Sequence, residues 1–137
     1  MTNVRIVTDV SAYLEPEFVA ENGIAVLPVE VRFGDEQFLI GPGESATRLF
    51  ERMTEGPAKK GQASIPAKYF RQAYEELCRS TEEIVVILSS GRLNQAYSSA
   101  EAATRPYLGR CRITIVDSLS ASWGLGLIVK TAAQAAQ

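Results

Sequence analysis

The stretch I84-V85-V86-I87-L88-S89-S90-G91-R92-L93-N94 passes from five consecutive apolar residues to two hydroxyls, a glycine, an arginine and an amide. A short run this apolar, rich in β-branched residues, reads as a strand buried on both faces, as in a parallel sheet covered by helices. The polar turn after it leads into a helical pattern over 93–107. Downstream, 112–116 is a second run expected to be a buried strand. It ends in D117-S118-L119-S120-A121-S122-W123-G124-L125-G126 and opens a closing helix over 121–137.

Upstream the same alternation holds. Residues 4–8 form a β-type run ending at Asp9, and 15–22 reads as a helix stopped by Gly23. Two short runs around Pro28, 24–27 and 29–33, look like one strand continuing through the Gly34-Asp35 turn into a small hairpin with 37–40. A helix over 45–53 carries Ser45 at its expected N-cap, and a loop through Gly56, Pro57 and Gly61 is basic at Lys59 and Lys60. Pro66 opens a helix to 79 with Phe70, Tyr74 and Leu77 on one face. Strand–helix alternation predicts an α/β fold: three α/β/α layers around a mainly parallel sheet.

The 137 residues, 46% of them hydrophobic, suffice for one core, so 1–137 is expected to be a single domain. The net charge of −2 comes from interspersed signs, which points away from nucleic acid. No segment approaches about 18 apolar residues, and the N-terminus has no signal-peptide pattern, so no transmembrane segment and a cytoplasmic setting are expected. Two cysteines outside any C-x-x-C fit a reducing compartment. The sequence has no histidine, which removes the usual Ser-His-Asp and Cys-His machinery; no metal site or cofactor is expected.

Three polar clusters, T8-D9-V10-S11, S89-S90-G91-R92-L93-N94 and D117-S118-L119-S120, each follow a predicted strand and precede a helix. All three therefore fall at the carboxyl edge of the sheet, where open α/β sheets bind ligands. Hydroxyls and helix-start N–H groups suit a small anion or carboxylate, and Arg92 adds positive charge. Each cluster alone reads equally as a helix cap or turn. Asp9 and Asp117 read either as carboxylates orienting hydroxyls across the crevice or as strand-end turn aspartates. Ser11, Asn94, Ser118 and Ser120 complete the crevice-lining set. Nothing in the chain could activate these serines as nucleophiles. Trp123 reads as a core or partner-contact aromatic. Gly124 and Gly126 are expected to let the last helix pack closely.

V4-R5-I6-V7-T8-D9, G23-I24-A25-V26-L27-P28-V29 with V31-R32-F33-G34, S90-G91-R92-L93 leading to Y97-S98-S99-A100, and the Asp117–Gly126 stretch together resemble the N-terminal domain of the DegV family. The match in order and spacing covers nearly the whole chain. The resemblance implies a bacterial, non-catalytic protein that binds a long-chain fatty acid and presents it to a fatty acid kinase subunit, which makes the acyl-phosphate. It also implies that the family's second domain, which with the first buries the acyl chain, is absent from 1–137. Where the family has Ser-Ser after the central strand, this sequence has Ser90-Gly91; its Thr-Ser-Gln loop appears as G61-Q62-A63-S64-I65-P66. The resemblance thus assigns the carboxylate to Ser90, Gly91, Gln62 and Ser64. The alternative is a shortened interaction or oligomerisation module, a homo-oligomer included, with altered lipid binding. An enzyme finds no Walker loop or clustered metal carboxylates to support it.

Overall fold

The computed structural model describes residues 3–57 and 60–137; the expected basic Lys59 lies outside them. Among the described residues the strands are β1 Val4–Asp9, β2 Ala25–Leu27, β3 Val29–Phe33, β4 Glu36–Ile40, β5 Gly61–Ser64, β6 Glu83–Leu88 and β7 Arg112–Asp117. The helices are α1 Pro16–Asn22, α2 Thr47–Thr54, α3 Ala67–Leu77, α4 Ala96–Ala102 and α5 Ser122–Ala135, with 3-10 turns at Val10–Ala12 and Arg105–Tyr107.

Four strands form a parallel sheet in the order β2-β1-β6-β7. Strand pleating sends alternate residues to opposite layers. Val7, Ile84, Val86 and Leu88 pack with Phe70, Tyr74 and Leu77 of α3 and Ala96 and Ala100 of α4. Ile6 and Ile87 face the other way, onto Leu125, Val129 and Ala133, a stripe of three residues spaced four apart on α5. Each large apolar side chain buried this way contributes about 1.5–3 kcal/mol. Burial also holds the Tyr74 hydroxyl well above its ordinary pKa, and it donates to Ala100 O at 3.3 Å. The three-layer α/β/α reading therefore holds, with α1 and α5 on one side and α3 and α4 on the other.

Several boundaries differ for physical reasons. Pro28, which lacks an N–H, does not sit within one continuous strand: β2 joins the parallel sheet, whereas β3 starts a separate antiparallel sheet in the order β4-β3-β5. β5 lies where a loop was expected, its short polar sequence supported by pairing with β3. β7 is an edge strand rather than a buried one; Ile113 and Ile115 pack inward, and Arg112, Thr114 and Val116 on its other face are exposed because α5 packs mainly on β1 and β6. The helix expected from 93 begins at Ala96, after the 91–93 turn, and ends at Ala102. Neither Ser120 nor Ser122 caps α5, whose N-cap is Ala121 with no side-chain bond. Ser45 does accept the Thr47 N–H at 3.2 Å, one position before the N-cap Ala46.

Candidate functional site

β2 lies on one side of β1 and β6 on the other, so the connections leaving β1 and β6 diverge and leave a crevice at their carboxyl ends. The three polar clusters meet there. Thr8 Oγ1 donates to Ile87 O at 2.8 Å and ties the first two strand ends together. Asp9 is 1% exposed; its Oδ1 accepts the Ser11 N–H at 2.9 Å and also the Ser11 hydroxyl, capping the 10–12 turn. Asp9 Oδ2 is buried and has no hydrogen-bond partner among the described residues.

The β6 and β7 ends are interlocked. Ser90 N donates to Ser120 O at 2.8 Å, and Ser118 N to Leu88 O at 3.1 Å, which extends the β6–β7 ladder past its last paired residues. Gly91 N donates to both carboxylate oxygens of Asp117, at 3.2 and 3.1 Å, and Asp117 Oδ1 also accepts the Leu119 N–H at 3.0 Å. A Cβ on Gly91 would stand 2.9 Å from Asp117 Oδ2, so any larger residue there must displace that carboxylate; glycine serves close approach rather than an unusual torsion. Asn94 Nδ2 donates to Ser89 Oγ at 3.0 Å while its Oδ1 accepts the Ala96 N–H at 2.8 Å and starts α4.

These bonds sort the hydroxyls by what remains for a ligand. The Ser11 proton is committed to Asp9, and the Ser118 proton to Ser120 O at 3.3 Å. Ser90 Oγ accepts the Arg92 N–H at 3.3 Å, and its own proton has no acceptor among the described residues. The same holds for Ser89, which accepts only from Asn94. Both serines are buried at the strand end, whereas Arg92 is exposed and forms no ion pair among the described residues. Both Asp117 carboxylate oxygens are thus engaged by two amides, those of Gly91 and Leu119.

Gln62 and Ser64 lie on β5 in the second sheet, opposite Arg32 and Glu30 of β3. The bonds joining the three clusters do not reach either residue among the described residues. Glu30 anchors this sheet to α3: its carboxylate takes Lys68 Nζ at 2.6 Å and the Tyr69 hydroxyl at 2.8 Å. These partners, Lys68 foremost, hold its carboxyl below the usual range. Sequence reasoning did not single out Ser89 or Thr8 as site residues; the doubled serine after β6 was the available signal for Ser89. The expected close packing is confined to Gly126, where a Cβ would meet Ala12 O at 2.5 Å, while at Gly124 the nearest atom is 3.5 Å away. Trp123 is 79% exposed and is no core residue. None of the three described clefts, of about 590, 550 and 510 Å3, is lined by Ser90 or Ser120.

The family described as "Uncharacterised protein, DegV family" matches residues 3–137. A DegV domain-containing protein of Deinococcus radiodurans is 32% identical over 132 residues, which is 96% of this chain and 46% of the relative. A Thermus thermophilus DegV family protein, whose structure was described for its fatty acid binding, superposes with a TM-score of 0.84 at 25% identity, over 97% of this chain and 47% of that one. A fatty acid kinase (Fak) B3 protein of Streptococcus pneumoniae, loaded with linoleic acid, shares the fold alone: TM-score 0.78, 21% identity, 98% of this chain and 48% of that one. The chain spans about half the length of these relatives. Among the described residues no helix is long and apolar enough to cross a membrane. The parallel sheet and its covering helices agree with these matches, and the chain, matched over residues 3–137, belongs to the DegV family.

Proposed function

We propose that this chain binds a long-chain fatty acid without transforming it, holding the carboxylate at the carboxyl ends of β1 and β6 and presenting it to a fatty acid kinase in the cytoplasm. One observation carries the reading. Ser90 keeps a buried, uncommitted hydroxyl proton in the switch-point crevice, and the neighbours bonded through it bring exposed apolar side chains. Leu93, whose N–H donates to Ser90 O, is 66% exposed, and Leu119, next to the Ser120 carbonyl that accepts the Ser90 N–H, is 72% exposed. A donor rimmed by apolar groups matches a carboxylate with a hydrocarbon tail. Each methylene the tail buries there contributes about 0.8 kcal/mol. The kinship with a fatty-acid-binding protein of Thermus thermophilus supports the ligand class, and the kinase B3 likeness is the ground for the partner. Gln62 and Ser64, on β5 of the second sheet, are the further polar groups assigned to the head group in this proposal.

Native mass spectrometry of the chain purified from bacteria, with palmitate and oleate titrated in thermal melts, tests this. Bound lipid, lost in Ser90→Ala by about tenfold in affinity or more and retained in Ser11→Ala, is the expected result, since a hydrogen bond to a charged group is worth about 1.5–3 kcal/mol. Absence of both co-purified lipid and any melting shift rejects it. A second reading, an interaction or oligomerisation module, rests on the exposed apolar face of β7 and α5: Val116, Trp123, Leu127 and Ile128. A strictly monomeric species in light scattering that binds no hydrophobic dye counts against it.

A further inference from the structure

β2 is the outer strand of the parallel sheet, bonded to β1 on one side and, among the described residues, to no strand on the other. The helix layers leave that edge open. Val19 and Ala20 of α1 stand on one side, Ala73 and Leu77 of α3 on the other, and between them runs an open trough of about 590 Å3 floored by residues 23–28. This is where a fifth strand of the sheet would lie, its side chains alternating between the two helices. Exposed edge strands usually carry a guard such as a lysine, a bulge or an internal proline. Ala25-Val26-Leu27 itself carries none of these; what limits pairing there is its three-residue length and the Pro28 that follows.

Arg5 crosses the amino end of the trough. Its Nη2 donates to Gly23 O at 2.8 Å, but its Nε is buried without an acceptor among the described residues, and Glu76 on the α3 rim forms no ion pair with it. The guanidinium lines the trough without an ion pair among the described residues, so an acidic group laid beside it would be favoured. Gly23 and Ile24 already spend their N–H groups on the end of α1, so what the floor offers is the outward backbone of residues 25–27, which another strand would pair and an acyl chain would not. We propose that the β2 edge is a docking site for an extended segment of a partner protein, which adds as a fifth strand with apolar side chains against α1 and α3 and an acidic side chain beside Arg5. The site lies at the opposite edge of the sheet from β7 and is independent of lipid binding.

The test uses the isotope-labelled chain and acetylated, amidated heptapeptides of alternating valine and threonine with one aspartate near an end. The expected result is a saturable movement of the Ala25, Val26 and Leu27 amide resonances. Replacing the aspartate by asparagine weakens binding severalfold, and N-methylating a central residue weakens it roughly threefold to tenfold, as the loss of a backbone hydrogen bond implies. Ala20→Trp, at an exposed position on the rim, abolishes the shifts at an unchanged melting temperature. The proposal is overturned by unmoved resonances at 25–27 or by equal binding of the N-methylated peptide. It is also overturned if the same resonances move with protein concentration alone, which would assign the edge to a second copy.

Discussion

At Gly91 an added methyl group would crowd Asp117 Oδ2, the atom its own N–H bonds at 3.1 Å. Gly91→Ala is therefore expected to lower stability by about 1–3 kcal/mol through loss of that paired carboxylate. In an Asp117→Ala background the same substitution should cost much less. A double-mutant cycle read by urea unfolding measures the difference, and additive penalties would contradict the contact. Cys78 offers a second residue-scale check. Burial, followed by the Cys111 thiol beside it, pushes its thiol up to about 12. At pH 8 its alkylation by iodoacetamide should run on the order of a hundredfold slower in the native than in the urea-unfolded chain. Comparable rates would mean the pair is open to solvent. Ser90 and Asp117 could be recognised as candidates from position alone. Which hydroxyls kept an unused proton could not, because that depends on bonds between strands far apart in sequence.

Among the elements, α5 shows how similar sequence signals separate in space. Its two glycines are equivalent as letters, yet Gly126 faces the backbone of the 10–12 turn and Gly124 meets only Ser120 at ordinary contact distance. Gly126→Ala should push α5 off that turn and lose about 1–3 kcal/mol. Gly124→Ala should be neutral or stabilising by up to about 1 kcal/mol, since alanine suits a helix better. Thermal melts of the two variants decide the matter, and equal effects would remove the packing explanation. The strands were legible where periodicity was strong, as in β1 and β6. β5 was not, because Gly61-Gln62-Ala63-Ser64 has little β character of its own and is held by pairing with Arg32 and Glu30. β7 was legible as a strand but not as an edge, because its Ile113-Thr114-Ile115-Val116 run does not say whether a helix covers its second face.

For the molecule as a whole, the Glu30–Lys68–Tyr69 contact joins the small antiparallel sheet to α3 and thus to the main core. Glu30 is held below its ordinary pKa, so the unfolded chain takes up this proton at a higher pH than the folded one. Its contribution is full above the ordinary carboxylate range and is lost as pH falls through the lower folded value. The gap in melting temperature between the natural chain and Glu30→Gln should therefore be constant near neutrality and close below about pH 4. A gap that persists into stronger acid would show that the carboxylate is not the cause. The sequence by itself determined the α/β class, the apolar stripes that pack the two helix layers, and the placing of three hydroxyl-rich turns at one sheet edge. These follow from local periodicity and from strand ends that read the same wherever the strands go. Only the tertiary structure decided that Pro28 parts two sheets, that β7 and β2 are edges, and that the Gly91 N–H meets the Asp117 carboxylate across the β6 and β7 ends. It also decided which donors remain in the crevice. Each of these depends on which segments become neighbours across long stretches of chain, and the physical reason is that hydrogen-bond satisfaction and close packing belong to pairs of residues rather than to any one segment.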